Sequence, residues 1–405
     1  MKILLFTDFC PTVDNYRGPS SLCLYLMKEL AKRNEVKIIT TNANKVPDKM
    51  IKDAEKELGL TMCITPRNLM YKLLVSRKTG ALFTPFLGNK YGYLSRYDLT
   101  RSQLKKIENF NPDIVVIYPY HLIRVVKQLK KYKTCVIGPD CSVLGRLRML
   151  ADGYVYQNHT EKSVIKEITK CLNIERSLAK NADMIALVGR RDTEVFNQCT
   201  MSSKARFMPH PHYSYEENAP DFSSSILRVV ITGGYDSACK TDIDKMIAAL
   251  QNAPDCLQNY HFTFIGKTWR EVVEKLKDIM SVEYKTWVDD YNAELITHDI
   301  QLVPISYGVG TKGKVLQAMT NGLLCIGSYY AMENVAGRSG EEFMMYSDIS
   351  ELPDILNSII ANKDLYEELA EKGRKKSLEY HTAAIGAKMI ESLITGKAPK
   401  IEECY

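Results

Sequence analysis

Short apolar runs alternate with longer segments of helical periodicity along the chain. In the first half, the predicted strands are rich in Val, Ile or Leu, as expected for strands that are buried on both faces. Helices fit between them, for example at residues 20–32, where Leu22, Leu26 and Leu30 lie on one stripe. This alternation is typical of an α/β fold with a parallel sheet. The predicted strands lie at residues 3–7, 36–40, 114–118, 134–138, 184–188 and 206–208.

The alternation stops at residues 209–225, where prolines and polar residues predict a linker. It then restarts, so that the sequence predicts two successive doubly wound domains, residues 1–208 and 226–380, with a cleft between them. The predicted strands of the second domain lie at residues 227–232, 261–265, 283–288, 300–304 and 323–327. Its predicted helices lie at residues 242–251, 271–280, 291–297 and 312–320, and residues 351–395 are helical to the end.

The composition is that of a soluble globular protein long enough for two cores. The chain has 405 residues, of which 45% are hydrophobic and 25% charged. No apolar run approaches the about 18 residues that span a bilayer, and the first residues lack the form of a secretory signal. Eleven cysteines without CxxC pairs indicate reduced thiols rather than zinc ligands. We therefore expect a cytoplasmic protein without a metal site.

Charge is distributed unevenly along the chain. Residues 1–200 carry 33 Lys and Arg against 19 Asp and Glu, a net charge of +14, whereas the rest of the chain has a net charge of −8. Such asymmetry indicates that one half faces an anionic surface or ligand. The basic residues form no single long tract and no nucleic-acid module is recognisable, so we expect no nucleic acid partner. An anionic membrane surface explains the basic half at least as well as nucleic acid does, and it would place the protein at the inner face of a membrane.

Residues 60–103 break the alternation of strands and helices. The segment 69–78 is apolar with interspersed cations, and Tyr91, Tyr93 and Tyr97 follow it closely. One interpretation is an insertion that touches a membrane or a lipid-linked substrate. The other interpretation is a core helix with a basic edge, and the sequence does not decide between them.

Ligands of open α/β sheets bind at the carboxyl ends of strands, where loops enter helices. After the first strand, Gly18 permits close approach of a ligand to the backbone and Arg17 offers a forked, charged donor. The corresponding loop of the second domain, residues 233–240, has paired glycines and ends at Lys240, which could reach a phosphate. Neither loop has the spacing of a Walker A motif or of a GxGxxG dinucleotide motif.

Residues 303–322 are the most informative stretch. A buried strand runs into two glycines and then into a helix whose first turns carry Lys312 and Lys314. Cations are locally unfavourable at a helix N-terminus because of the helix dipole. Their presence there is explained if a multiply charged anion binds between them, and a diphosphate is the obvious candidate.

This stretch resembles the donor-binding signature of retaining GT-B glycosyltransferases of the GT4-like group. The shared features are a proline-ended strand, a GxGxK turn and a helix that opens toward the family's LEAMAxGxP pattern. At lower specificity the resemblance extends over nearly the whole chain. It implies the GT-B fold, with two Rossmann-like domains facing each other across a cleft. Residues 1–208 would bind the acceptor, residues 226–380 would bind the nucleotide sugar, and residues 381–405 would form a C-terminal helix that returns to the first domain.

The resemblance also implies roles for individual residues. The diphosphate would be received by Lys240, Gly310, Thr311 and Lys312. The other implied or predicted contacts to the donor are Arg17, Gly18, Gly234, Trp287, Gln317 and Glu333.

Two positions depart from the family pattern. The two acids of the EX7E pair are replaced by Val309 and Gln317. The second acid normally accepts hydrogen bonds from ribose hydroxyls, and Gln317 keeps one carbonyl acceptor while it loses the charge.

The reaction that the resemblance implies separates charge. Breaking the bond between the sugar and the diphosphate gives an anionic leaving group, which lysines and a helix N-terminus would stabilise without a required metal or other cofactor. In the first domain, His121 and Asp140 follow predicted strands and could contact the sugar or the acceptor. The predicted catalytic residues are therefore His121, Asp140, Lys240 and Lys312.

The expected function is transfer of a sugar, with retention, from a UDP- or GDP-sugar to a glycan, lipid-linked or small-molecule acceptor. One alternative is a nucleotide-sugar epimerase of the same architecture, which needs a carboxylate base. Another is a non-catalytic homologue that binds nucleotide sugars, an alternative motivated by Val309 and Gln317.

Overall fold

A computed structural model describes residues 1–16, 20–75, 94–138, 140–152 and 160–401. The chain forms two compact units, each with its own parallel sheet. The first unit comprises Met1–Leu147, His159–Pro211 and Ala383–Ile401, and the second comprises Arg148–Asn158, His212–Thr382 and Glu402–Tyr405. The predicted α/β fold with parallel sheets is confirmed.

Among the described residues, the sheet of the first unit has seven parallel strands in the order β3-β2-β1-β4-β5-β6-β7. The strand order reverses at β1, so the loops after β1 and β4 leave the sheet at a topological switch point. The strands are β1 Lys2–Thr7, β2 Glu35–Thr40, β3 Met62–Ile64, β4 Ile114–Tyr118, β5 Lys133–Ile137, β6 Met184–Leu187 and β7 Ala205–Phe207.

The central strands of this sheet form because they are apolar on both faces. Every residue of β4 is buried, and Ile3 of β1 pairs with Val36 of β2 and with Ile114 of β4. All six predicted strands are present within one or two residues of their predicted ends. Only β3 was missed, and at three residues it is too short to show a pattern.

Helices connect the strands of the first unit on both faces of its sheet, and the C-terminal helix also belongs to this unit. Glu391 of that helix accepts hydrogen bonds from Arg33 at 3.3 Å and from Asn34 at 2.7 Å. The helices with residues in this unit are α1 Ser21–Ala31, α2 Asp48–Leu58, α3 Leu69–Val75, α4 Arg101–Phe110, α5 Ile123–Gln128, α6 Ser142–Ala151, α7 Glu161–Asn181, α8 Arg190–Thr200 and the C-terminal Ala383–Thr395.

The sheet of the second unit has six parallel strands among the described residues, in the order β10-β9-β8-β11-β12-β13. The order reverses between β8 and β11, which places the loops after these two strands at the switch point of this unit. The strands are β8 Leu227–Thr232, β9 Tyr260–Ile265, β10 Ser281–Lys285, β11 Ile300–Val303, β12 Leu324–Gly327 and β13 Met344–Met345.

The predicted helices of the second unit are present, but one of its predicted strands ends earlier than expected. The strand predicted at residues 283–288 is β10 and ends at Lys285, so Trp287 lies outside it. The prediction was wrong there because the apolar side chains of Trp287 and Val288 extend the apparent strand. The helices are α9 Lys240–Asn252, α10 Arg270–Leu276, α11 Tyr291–Leu295, α12 Gly313–Thr320, α13 Tyr329–Met332, α14 Leu352–Ala361 and α15 Lys363–Tyr380.

Within the described ranges, we find no helix with the length and apolar character that a bilayer crossing requires. The helix α3 presents a mixed surface. Tyr71 is buried, whereas Leu69 is 72% and Met70 61% exposed. Residues 76–93, including Tyr91 and Tyr93, lie outside the described residues.

Candidate functional site

Two loops of the second unit meet at the carboxyl ends of β8 and β9. Gly233 follows β8 with a φ of +103°, and Gly266 follows β9 with a φ of +130°. A Cβ atom on Gly266 would lie 2.0 Å from the carbonyl oxygen of Gly233, so only glycine fits there. The indole Nε1 of the buried Trp269 donates to the same carbonyl at 2.6 Å. These contacts fix the start of the glycine-rich loop 233–240, in which Gly234 is exposed.

The loop 233–240 is also bonded to the segment that follows β11. The backbone N–H of Ser306 donates to the carbonyl of Ala238 at 2.8 Å, and the hydroxyl of Tyr307 donates to Ser237 Oγ at 2.6 Å. The structure therefore brings together two segments that the sequence singled out separately. Lys240 is the first residue of α9 and is half-buried, and its side chain forms no hydrogen bond or ion pair with any residue in the described part of the chain.

The turn between β11 and α12 folds around its own lysine. The ammonium of Lys312 donates to the carbonyl oxygen of Val309 and, at 3.2 Å, to that of Gly310. A Cβ atom on Gly308 would lie 2.9 Å from Lys312 Nζ, so the glycine makes room for the ammonium. Gly310 has a φ of +64°, and Thr311 is buried. The predicted GxGxK residues thus form one compact, cationic turn.

A second lysine approaches the same place from the first turn of α12. Lys314 Nζ donates to the carbonyl oxygen of Thr232, the last residue of β8, at 3.2 Å. Burial lowers the pKa of Lys314, the positive charge of Lys312 lowers it further, and Asp236 acts in the opposite direction. The surroundings of this lysine therefore disfavour its charged form. An anion placed beside it would remove that penalty.

Backbone donors add to this cationic turn. The helix α12 begins at Gly313, and Lys312 is its N-cap residue without a side-chain cap. The N–H groups of Gly313 and Lys314 donate no hydrogen bond within the described residues. Such orphan donors at a helix N-terminus suit the oxygen atoms of a phosphate.

Gln317 lies one turn further along α12 in a network of amides. Its Nε2 donates to Asn292 Oδ1 at 3.0 Å, and Asn321 Nδ2 donates to the same oxygen at 3.1 Å. The side-chain oxygen of Gln317 accepts no hydrogen bond from the described residues. The amide therefore fits this network better than the family's acid would, and it leaves a carbonyl oxygen that a hydroxyl group could use.

Glu333 is held by an arginine that the sequence analysis did not identify. Arg148, which belongs to the second unit, donates to both carboxylate oxygens of Glu333 at 2.5 and 2.8 Å. The same guanidinium donates to the carbonyl oxygen of Gly308 at 2.6 Å and lies 5.0 Å from the ring centre of Tyr330. Arg148 thus joins the cationic turn to the buried Glu333, whose predicted contact with sugar hydroxyls stays a prediction.

Trp287 is 70% exposed, and Asp290 caps α11 by accepting from the N–H of Ala293 at 3.0 Å. The hydroxyl of Tyr291 donates to Thr232 Oγ1 at 2.9 Å. The loop that carries Trp287 therefore leads into α11, and the first residue of this helix, Tyr291, is hydrogen-bonded to the last residue of β8. The prediction that Trp287 contacts the donor is not tested by this arrangement.

The first unit has a separate cluster at the carboxyl ends of β1, β2 and β4. Asp8, 2% exposed, accepts from Arg67 Nε at 2.9 Å and from Arg67 Nη2 at 2.6 Å, and also from the hydroxyl of Thr41. His121 Nε2 is buried 3.9 Å from Asp8 Oδ2. Burial raises the pKa of Asp8, but His121, Arg67 and Thr41 together outweigh it, so the pKa lies below its usual value.

The structure does not place every predicted residue of the first unit. Asp140 lies just after β5 and is half-buried. Arg17 and Gly18 lie outside the described residues, so their predicted contacts with the donor remain predictions.

Sequence reasoning missed Asp8, Arg67 and Arg148. Asp8 directly follows the first strand, and the rule that ligands bind at carboxyl ends of strands could have drawn attention to it. Arg67 lies 59 residues from Asp8, and Arg148 lies 185 residues from Glu333. Ion pairs over such separations leave no periodic signal in one sequence.

Comparisons with known proteins agree with this architecture. Residues 243–391 match the model of a family described as glycosyl transferase-like. No curated protein matches the sequence significantly. The structure is similar to that of HepE from Anabaena in complex with UDP-glucose, with a TM-score of 0.64 at 9% identity, over 98% of this chain and 100% of that chain.

Two further solved structures are similar over almost their whole length. Sucrose-phosphate synthase from Thermosynechococcus elongatus has a TM-score of 0.69 at 13% identity, over 98% of this chain and 100% of that chain. WaaG, a glycosyltransferase involved in lipopolysaccharide biosynthesis, has a TM-score of 0.60 at 14% identity, over 97% of this chain and 100% of that chain. The predicted GT-B fold is therefore confirmed, and residues 243–391 match the model of a glycosyl transferase-like family.

Proposed function

We propose that this protein transfers a sugar from a UDP- or GDP-sugar to an acceptor, and that the second unit binds the diphosphate of the donor. The observation that carries the proposal is that the turn with Lys312 and Lys314 adjoins the glycine-rich loop 233–240. Lys314 donates to the carbonyl oxygen of Thr232, directly before this loop, and Tyr307 donates to Ser237 within it. Lys240 adds a third cation at the start of α9. A diphosphate supplies the negative charges that such a cluster lacks.

In this proposal, catalysis is mainly electrostatic. The bond between the anomeric carbon and the diphosphate oxygen breaks, and its electron pair stays with the diphosphate. Lys312, Lys314 and the orphan N–H groups of α12 stabilise the negative charge that develops there. Because these groups are partly buried, their interaction with the leaving group is stronger than it would be in water. For Lys312, binding requires the ammonium to exchange its backbone carbonyl partners for phosphate oxygens.

We assign the acceptor to the first unit, where His121 and Asp140 follow β4 and β5. The buried Nε2 of His121 lies beside Asp8, and Arg67 holds that carboxylate in place. This arrangement supports a role for His121 in orienting an acceptor hydroxyl, with Asp8 as a positioning residue.

We further propose that the transfer retains the anomeric configuration. The support is the resemblance of residues 303–322 to the donor signature of retaining enzymes, with Gln317 in place of the ribose-binding acid. Proton NMR of the first-formed product would reveal the configuration. An inverted product would contradict retention without contradicting sugar transfer.

The first unit is also the proposed contact with an anionic membrane surface, where a lipid-linked acceptor would be found. Residues 1–200 carry a net charge of +14, and α3 exposes Leu69 and Met70 beside Lys72. Flotation with anionic vesicles at low and high salt tests this contact. No binding at low salt would exclude it.

Incubation with UDP- and GDP-sugars, with and without a panel of sugar acceptors, tests the proposed activity. Release of nucleoside diphosphate that depends on an acceptor is the expected result. Isomerisation of the donor without acceptor would instead identify an epimerase, and binding without turnover would identify a non-catalytic homologue.

A pair of lysine variants tests the assignment of the site through their affinity for the nucleotide. Lys312→Ala should lower nucleotide affinity at least tenfold, because it removes a charged donor from the diphosphate. Lys277→Ala, which removes an exposed lysine paired with Glu274 beyond α10, is the matched control and should have no effect. Equal affinities of the two variants would contradict the site.

A further inference from the structure

A second concave site lies in the second unit, at the amino ends of β8, β9 and β10. Its volume is about 580 Å³, within the range of about 300–1,000 Å³ that is typical of small-molecule sites. We call it the amino-end pocket. Its lining includes Arg228, His261 and Ser281 from the three strands and the apolar Ile226, Leu257 and Met280 from the segments that lead into them.

The amino-end pocket is distant from the site that we assign to the diphosphate. That site follows the carboxyl ends of β8 and β9, whereas the pocket lies at the opposite ends of the same strands. A strand rises about 3.3 Å per residue, so Arg228 lies about 16 Å from Gly233, where the glycine-rich loop begins. An occupant of the pocket would therefore be a second ligand and not a substrate bound for transfer.

Three polar side chains form a row across the sheet at this pocket. Arg228 of β8 pairs with His261 of β9, and His261 pairs with Ser281 of β10. Residues that pair across neighbouring strands project from the same face of the sheet, and the alternate residues Val229 and Phe262 belong to the core on the other face. The register of three strands therefore builds one polar wall.

A buried aspartate holds the arginine of this wall. Arg228 donates to Asp299 Oδ1 from Nη2 at 2.8 Å and to Asp299 Oδ2 from Nε at 3.2 Å, and the side chain of Asp299 is only 1% exposed. This bidentate pairing fixes the plane of the guanidinium. Its Nη1 donates no hydrogen bond within the described residues, so the two N–H groups of Nη1 are available to a ligand.

The histidine of the wall also has a nitrogen to offer. His261 Nδ1 shares a hydrogen bond of 2.7 Å with Ser281 Oγ, and His261 Nε2 forms none with any residue in the described part of the chain. A ring whose Nδ1 accepts from the serine carries its proton on Nε2 and donates there. Neighbouring strands lie about 4.8 Å apart, so Arg228 and His261 can donate to the two oxygens of one carboxylate.

The rest of the lining favours an apolar ligand body and offers no acid. Leu257 and Met280 are buried, and Ile226 is 47% exposed. None of the lining residues, all of which lie in the described ranges, is Asp or Glu, so a cationic ligand would find no carboxylate there. The exposed Asp221 also stabilises the Arg228 cation but lies outside the lining. Since Arg228 is already paired, the pocket suits a singly charged carboxylate better than a doubly charged phosphate.

We propose that the amino-end pocket binds a small organic carboxylate with an apolar body. Arg228 and His261 donate to the carboxylate, and the body packs against Ile226, Leu257 and Met280. Burial of the apolar body supplies affinity, and the polar wall fixes its orientation. The proposal goes beyond the proposed sugar transfer and does not depend on it.

Ligand-observed NMR with the full-length protein tests the class of ligand. The probes are phenylacetate and 4-methylpentanoate, and the comparisons that replace the carboxylate are benzylamine and phenyl phosphate. We expect saturation transfer to both carboxylates and dissociation constants at least tenfold higher for the two comparisons, because these lose the hydrogen bonds to a singly charged carboxylate. Absence of transfer to both carboxylates, or equal affinity for either comparison, would overturn the proposal.

A matched pair of serine variants locates the carboxylate within the protein. Ser224→Trp places an indole on the lining of the pocket, whereas Ser225→Trp places it at the next position, which is exposed and outside the lining. His261→Phe keeps a ring and removes both ring nitrogens. The affinity for phenylacetate should fall at least tenfold in Ser224→Trp and His261→Phe and stay unchanged in Ser225→Trp. Unchanged affinity in both pocket variants would place the carboxylate elsewhere and overturn the proposal.

Adding UDP or GDP to the sample with phenylacetate separates this proposal from the proposed function. We expect saturation transfer to phenylacetate to be unchanged by either nucleotide, because the two sites lie at opposite ends of the strands. Displacement of phenylacetate would place it at the diphosphate site and overturn the amino-end pocket. Failure of both nucleotides to raise the midpoint of thermal unfolding, with phenylacetate still bound, would contradict the proposed function alone.

Discussion

The two units both place basic side chains at the carboxyl ends of parallel strands, but the groups that accept hydrogen bonds from these side chains differ. In the first unit, two nitrogen atoms of Arg67 donate to the buried carboxylate of Asp8. In the second unit, Lys314 donates to the backbone carbonyl of Thr232 and forms no ion pair with a carboxylate of the described residues. An ion pair cancels the charge of the cation, whereas a carbonyl leaves it in place. The first cluster should therefore contribute mainly to structure, and the second mainly to binding an anion.

The largest effect on stability is expected in the first unit. Asp8→Ala leaves Arg67 and His121 without their carboxylate and should lower the free energy of unfolding by about 3 kcal/mol, as for other broken buried ion pairs. Urea unfolding measures this change. Asp98→Ala breaks the exposed pair with Arg124 and is the matched control, with an expected loss below about 1 kcal/mol. Equal losses would mean that the Asp8 cluster is not held as we describe.

The opposite behaviour is expected of the second unit. Lys314→Met removes a desolvated cation and should leave stability unchanged or slightly increased, because burial already disfavours that charge. The affinity for UDP or GDP should fall by about 10- to 100-fold, the effect of one charge-assisted hydrogen bond. Calorimetric titration measures the affinity, with Lys277→Met as the control. A loss of stability without a loss of affinity would mean that Lys314 contributes to structure and not to binding an anion.

The pH dependence of the same lysine gives a smaller but more specific test. Folding lowers the pKa of Lys314, so between the lowered pKa and the ordinary value of 10.5 the unfolded chain binds more protons. Stability contributed by this group should therefore rise with pH in that window. Nucleotide affinity should fall over the same window, because only the charged lysine attracts a diphosphate. Lys314→Met should lack both trends. If stability and nucleotide affinity depended on alkaline pH in the variant as they do in the wild-type protein, Lys314 would not belong to the site.

Much of the fold and part of the site could be predicted from the sequence, and the reasons are local. Strands such as β4 are continuous apolar runs, and each predicted strand is present. The residues 308–314 could be found because glycines and lysines are clustered at a strand-to-helix junction. That junction is the point at which backbone geometry and the helix dipole restrict the choice of residue.

The remaining features depend on contacts between distant residues or on very short elements. The strands β3 and β13 have three and two residues, too few for a pattern. Arg148 gave no signal because its partners, Glu333 and Gly308, are far away in the chain. The position of Trp287 was mistaken because an apolar side chain on a loop looks the same in sequence as one in a strand.

Calorimetric titration of UDP and GDP into the wild-type protein and into the variant Lys312→Ala/Lys314→Met tests the central claim most directly. We predict that at least one of the two nucleotides binds the wild-type protein and that binding is lost in the double variant, which stays folded. Undiminished binding in the double variant would show that the nucleotide lies elsewhere, and failure of both nucleotides to bind the wild-type protein would contradict the donor site altogether.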